Sequence, residues 1–330
     1  MNFTMTEIKK LREMTGAGLA DCKKALTESE DMDAAVAYLR KKGAAVAAKR
    51  SDREAAEGCV LVKSENGFAA IIALKCETDF VANNADFVAL TQDILNAAVA
   101  AKCKTLDEVK ALPMGEGTVQ DAVTARSGIT GEKMELDGYS CIESDNVAIY
   151  NHMNRNGLCA MVAFNKPVSG ECGKNVAMQI ASSSPVAIDE SGVSEEVKQN
   201  EYNVAVEKTK EEQIAKAVEA AIRKAGVNPA HVDSDDHIES NMAKGWITPE
   251  QAQMVREIKV KVAEEKAANL PEQMIQNIAQ GRLNKFYQEN VLMEQVYEAG
   301  ENKETVAQFL AAADKDLKAI DLKRVNLNVD

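Results

Sequence analysis

A chain of 330 residues is long enough for two or three domains, and 45% hydrophobic with 28% charged residues is the balance of a globular protein in water. No window approaches the roughly eighteen consecutive apolar residues of a membrane span, and the opening MNFTMTEIKK has no apolar signal core, so a cytoplasmic protein without membrane contact is expected. The formal net charge of −13 argues against direct binding to nucleic acid, although residues 1–57 are nearly balanced, with 11 basic and 10 acidic side chains.

In chain order, Thr4 and Glu7 form a capping-box signature ahead of Ile8, Leu11 and Met14, and Gly16 stops that helix. A second helix is predicted from about Leu19 to Thr27, and a third from about Met32 to Lys42, capped by Asp31 and ended by Gly43. The Ala-rich, charged stretch Ala44–Gly58 reads as a partly helical linker. Residues 1–55 are thus expected to be a three-helix N-terminal domain and its linker.

From Gly58 the pattern turns to strands, Val60–Lys63 and Phe68–Lys75 around an Asn66-Gly67 hairpin turn. A helix is predicted from Asn84 to Ala101, with Phe87, Leu90, Ile94, Leu95 and Ala98 on one face. Ninety residues later NGLCAMVAFN (156–165) repeats NGFAAIIALK (66–75) at four of ten positions, again followed by a helix, Gly173–Ser182. Residues 56–192 therefore read as a duplicated hairpin-plus-helix core, with repeats at about 58–101 and 145–185. Beyond Pro185, Val193–Gly226 has helical spacing, a polar break covers Asn228–His237, Thr248-Pro249 opens a second helix and Pro271 a third. Residues 193–287 are expected to form an antiparallel helical coiled-coil projection, and 288–330 to return to the core with a helix around Glu304–Ala313 and a strand near Ala319–Leu327. The fold class is α+β.

Between the apolar strand FAAIIAL and the next helix lies CETDFVAN, Cys76–Asn83. Only 4% of the chain is aromatic, so Phe80 at this junction either closes the end of its own core or anchors in a partner's pocket. Seven cysteines (22, 59, 76, 103, 141, 159, 172) include no CxxC pair and read as reduced, mostly buried residues, and the three histidines have no metal-ligand spacing. The TGAG run is too short for a phosphate loop. Cys22 or Cys76 with His152 is the only material for a nucleophile, and no triad-type motif supports it. No enzyme, metal or cofactor is expected.

LREMTGAGLADCKKAL (Leu11–Leu26), CETDFVAN, HMNRNG (His152–Gly157) and GRLNKFYQE (Gly281–Glu289) together resemble the bacterial elongation factor Ts family, the guanine-nucleotide exchange factors of elongation factor Tu. Order and spacing agree from about Lys9 to Val206 and from about Pro271 to Leu327. The resemblance implies that Thr78, Asp79, Phe80 and Val81 wedge between two helices of the partner's G domain and disturb its Mg²⁺ site. It also implies that the N-terminal bundle docks on the G domain through Arg12, Gly16 and Leu19, that Thr130 and Gly131 lie close to the wedge, and that His152 faces the partner's third domain. The chain departs from the family pattern at Met153, where a glycine is usual, and over Lys208–Asn269, an enlarged projection that includes the only tryptophan, Trp246. Members of the family differ in oligomeric state, so a homodimer stays open. The other reading is a peptide- or ubiquitin-type binding module, because ubiquitin-associated domains share a three-helix bundle with a glycine loop; it leaves the duplicated core and the TDFV segment unexplained.

Overall fold

The structure, a computed structural model, describes residues 3–300 and 302–327. Two compact units emerge: the first takes in the chain up to Ile188 and again from Val296, and the second is Asp189–Gln295. The first unit opens with α1 (Met5–Thr15), α2 (Leu19–Glu28) and α3 (Met32–Ala48). Strands β1 (Glu57–Glu65) and β2 (Phe68–Cys76) follow, then the short α4 (Asp79–Ala82) and α5 (Ala85–Ala100). Helix α6 (Leu106–Ala111), a small ribbon of β3 (Pro113–Met114) and β4 (Gly117–Thr118), and α7 (Val119–Thr130) lead to β5 (Met134–Glu143). Next come β6 (Val147–Asn151), β7 (Leu158–Phe164) and α8 (Gly170–Ser183). The second unit holds α9 (Glu195–Lys224), α10 (Asp235–Ala243), α11 (Pro249–Ala268) and α12 (Glu272–Asn290), after which α13 (Val306–Ala313) and β8 (Ala319–Asn326) complete the first.

The three N-terminal helices bury Leu11, Cys22, Ala25, Leu26 and Ala35 in one apolar cluster. Thr4 caps α1 as its sequence signature requires: its backbone N–H donates to the Glu7 carboxylate at 2.8 Å, and its hydroxyl accepts from the Glu7 N–H at 3.3 Å. Helix α3 does not end at Gly43, as its composition suggests, but runs on to Ala48. The glycine serves a close approach instead. A Cβ on Gly128 of α7 would stand 2.3 Å from the Gly43 Cα, so α3 and α7 touch backbone to backbone there. The alanines after Gly43 are strong helix formers and carry the helix past it.

The core is two three-stranded antiparallel sheets, in the orders β1-β2-β5 and β6-β7-β8. Their central strands are the two copies of the repeated decapeptide, and each sheet shifts register at the corresponding place, between Ala73 and Leu74 in β2 and between Ala163 and Phe164 in β7. Strand β2 is buried on both faces, which explains its unbroken apolar run. Phe68, Ala70, Ile72 and Leu74 join Phe87, Ile94 and Leu95 of α5. Ala69, Ile71 and Ala73 face the other way and join Cys159, Met161 and Ala163 of β7. The sheets therefore stack face to face, with α5 outside one and α8 outside the other. Deleting a buried side chain as large as Phe68 from such a core costs about 3–5 kcal/mol.

In the second unit α9 is a 30-residue spine. Its C-terminal half packs against the start of α11, with Ile222 beside Ala252 and Val255. Its earlier part packs antiparallel to α12, where Ala205, Lys208 and Leu283 line one groove and Arg282 donates to Glu212 at 2.7 Å. The returning side of the hairpin is thus broken at Leu270-Pro271, between two shorter helices. The polar stretch 228–237, read from sequence as a break, is a folded cap: Val227, Val232, Ile238 and Ile247 join Ile222 of α9 and Ala252 and Val255 of α11 in one small core. Its polar residues are used locally, with Ser234 capping α10 and the Asn241 side chain donating to the His231 carbonyl at 2.8 Å.

Candidate functional site

Where β2 leaves the sheet, the chain makes a single helical turn, α4. Thr78 is its N-cap, and the Thr78 hydroxyl accepts from the Val81 N–H. The far end is closed by Asn83, whose backbone and side-chain amides both donate to the Asp79 carbonyl, at 2.9 and 2.8 Å. Ala82 is buried and Val81 packs on the core below, so the turn has an inward side. Asp79 and Phe80 occupy its outer side, and Phe80 is 85% exposed. Of the two readings the sequence left for Phe80, closure of its own core is therefore excluded.

Two carboxylates brace the turn from below. Glu132 accepts the Thr78 hydroxyl at 2.7 Å, the Thr78 N–H at 3.1 Å and the Glu77 N–H at 3.2 Å. Glu77 reciprocates by accepting the Lys133 N–H at 2.6 Å, and it also receives Arg53 at 2.9 Å and Arg50 at 3.3 Å. The Lys133 N–H first, and the two guanidiniums with it, hold the Glu77 carboxyl down to about 2. Sequence reading missed this pair. Glu77 and Glu132 are 55 residues apart, and in a chain with 52 acidic side chains nothing marks them out.

Thr130 and Gly131 belong to the structure that delivers Glu132. Gly131 caps α7 with φ +73°, a left-handed conformation that glycine adopts without a Cβ penalty. The Thr130 hydroxyl accepts the Glu132 N–H at 3.3 Å, and the buried Ser127 hydroxyl donates to the Glu132 carbonyl at 2.5 Å. Thr78–Val81 and Thr130-Gly131 are thereby brought together through Glu132. Gly16 caps α1 in the left-handed conformation and its Cα faces Ile129, the residue before Thr130. Arg12 and Leu19 are exposed on the same N-terminal helices. Beside them, Met14, Ala17, Leu39, Ala125 and Ile129 line a cavity of about 320 Å³.

His152 lies elsewhere, on the connection from β6 to β7, half-buried, with its Nδ1 3.3 Å from the Tyr150 hydroxyl. Met153 after it takes φ +51° and ψ +16°, so the chain turns here as a glycine would, with the methionine side chain 65% exposed.

The thiols of Cys22 and Cys76, the nucleophile candidates in the sequence, are not activated. Burial pushes the thiols of Cys59 to about 11 and of Cys76 and Cys159 to about 12, and raises that of Cys22, so all stay protonated at neutral pH. Among the described residues no group of His, Cys, Asp and Glu could hold a metal ion, and no helix is long and apolar enough to cross a membrane. Phe80 thus stands as an exposed aromatic on a hydrogen-bonded platform.

The profile of the family described as Elongation factor TS matches residues 77–328. The chain is 65% identical over 331 aligned residues to a protein named Elongation factor Ts from Bacteroides thetaiotaomicron, 61% to one from Parabacteroides distasonis and 40% to one from Porphyromonas gingivalis, each alignment covering the whole of both chains. The chain belongs to the elongation factor Ts family of translation elongation factors.

Proposed function

We propose that this chain is the guanine-nucleotide exchange factor of elongation factor Tu in the cytoplasm, and that it works by contact alone, without cofactor or covalent step. The observation that carries the proposal is Phe80, an aromatic side chain 85% exposed on a turn braced from both ends. Leaving it in water forgoes about 1.5–3 kcal/mol that burial in a partner would return. In the proposed complex Thr78, Asp79, Phe80 and Val81 enter between two helices of the G domain and shift its Mg²⁺. That ion ties the nucleotide phosphates to the partner's side chains, and moving it loosens GDP.

The remaining contacts divide along the chain. Arg12, Gly16 and Leu19 of the N-terminal segment, residues 1–55, dock on the G domain beside Thr130 and Gly131. His152 turns toward the third domain of the partner. The duplicated core, 56–192 with 288–330, carries the wedge, and 193–287 form the projection. Binding of the factor and of the nucleotide are linked reciprocally: if each weakens the other, the factor expels GDP and incoming GTP expels the factor. Stopped-flow release of a fluorescent GDP from elongation factor Tu tests the proposal. The chain should accelerate release in a saturable manner, and GTP should dissociate the complex; release at the unassisted rate at every concentration would refute it.

A further inference from the structure

The turn that bears Phe80 has only four helical residues, too short to hold its own shape in water. Its inner side rests on Val81 and Ala82, two small contacts. What fixes its first residues is the Glu132 carboxylate, which takes all three donors that the entry to the turn presents: two backbone N–H groups and the Thr78 hydroxyl. Glu132 is itself held at both ends of its backbone, by Thr130 at its N–H and by Ser127 at its carbonyl. Its side chain therefore reaches the turn from a fixed base at the end of α7. That helix in turn meets α3 at the Gly43 and Gly128 contact, and the chain just after α3 supplies Arg50 and Arg53 to Glu77. The wedge is thus anchored by groups from two separate stretches of sequence, residues 50–53 and 127–133.

We propose that Glu132 is a positioning residue for nucleotide exchange: it holds the Thr78–Val81 turn in the geometry that presents Phe80, so that the partner does not have to order the turn on binding. This rests on the reading of Phe80 as the wedge. The role depends on acceptor geometry rather than on charge. A glutamine at this position can turn its carbonyl oxygen to the two N–H groups and donate its amide to the Thr78 oxygen, which keeps all three contacts while the half-buried Thr78 hydroxyl turns its own proton to water.

The full-length variants Glu132→Ala, Glu132→Gln and Phe80→Ala distinguish the possibilities. GDP release from elongation factor Tu is measured against factor concentration, together with amide hydrogen exchange in the free factor. In Glu132→Ala the maximal release rate should fall roughly tenfold with less than about a threefold change in the half-saturating concentration, since a misplaced group costs rate even where docking survives. The amides of Glu77 and Thr78 should exchange faster while those of Phe68–Leu74 keep their protection. Glu132→Gln should stay within about threefold of the unmodified chain in both measurements. Full maximal release by Glu132→Ala, or an equal loss in Glu132→Ala and Glu132→Gln, would overturn the positioning role while a crippled Phe80→Ala left the wedge reading standing. Full activity of Phe80→Ala would remove the wedge reading, and the positioning role with it. Should Glu132→Ala fail to fold, Glu132→Asp decides: withdrawing the carboxylate by one methylene should slow release about threefold and speed exchange at Glu77 and Thr78, and unchanged values would overturn the proposal.

Discussion

Met153 shows what a single backbone angle costs. A non-glycine residue at φ +51° carries a penalty of about 1 kcal/mol, and the exposed methionine side chain returns little of it through packing. Met153→Gly is therefore expected to raise the stability of the first unit by up to about 1 kcal/mol, read as a higher midpoint in urea. Glu77 gives a pH-dependent counterpart. Its carboxyl titrates near 2 in the folded chain against an ordinary value of 4.5, so its contribution is fully present above about pH 4.5 and is lost as pH falls from there toward 2. Thermal melts of the unmodified chain and of Glu77→Gln should differ most at neutral pH and converge on acidification through that window. A gap that widened in acid would contradict the hydrogen bonding assigned to Glu77.

The contact between α3 and α7 makes an asymmetric prediction at the level of elements. A Cβ at Gly43 would stand 3.5 Å from the Gly128 Cα, an ordinary contact, whereas one at Gly128 would stand 2.3 Å from the Gly43 Cα and force the helices apart. Gly43→Ala should be neutral or stabilising by up to about 1 kcal/mol, because alanine favours the helix interior. Gly128→Ala should cost about 1–3 kcal/mol through overpacking. Denaturation midpoints of the two variants check this directly. The same contact explains why α3 was misjudged from sequence: glycine marks a helix end when it supplies a left-handed cap, as at Gly16 and Gly131, but not when it clears space for a neighbouring backbone. Strand β2 and the α5 face were legible because an apolar run and a helical period depend on local burial. Strand β5 was not, since MELDGYSCIE buries only Leu136 and Ile142 fully and takes its place through pairing with β2. The Glu77 and Glu132 brace was invisible for the same reason: its partners meet only in the folded chain.

Across the whole molecule the duplication was readable in ten residues, because the repeated decapeptide is the central strand of each sheet and must satisfy burial on two faces at once. For Phe80 the sequence left core closure and outward exposure both open, and the folded chain decides for exposure. The cap of the projection was hidden by composition: its four buried apolar residues stand among many polar ones and complete a core begun by α9 and α11. Ile238, fully buried in that core, offers a test. Ile238→Ala should destabilise the second unit by about 2–4 kcal/mol, reported by the emission of Trp246, whose ring lies 5.2 Å from that of His231. GDP release by the variant should change by less than about threefold under conditions where the second unit stays folded, since every residue assigned to docking precedes Val193.

In the proposed complex Phe80 prises GDP from elongation factor Tu, and stopped-flow release of fluorescent GDP by Phe80→Ala is the decisive measurement. The side chain contributes nothing to the core, so the variant should melt with the unmodified chain. Loss of a central aromatic anchor costs about 2 kcal/mol or more, so assisted release should slow roughly thirtyfold. Release at the unmodified rate by a fully folded Phe80→Ala would contradict that role.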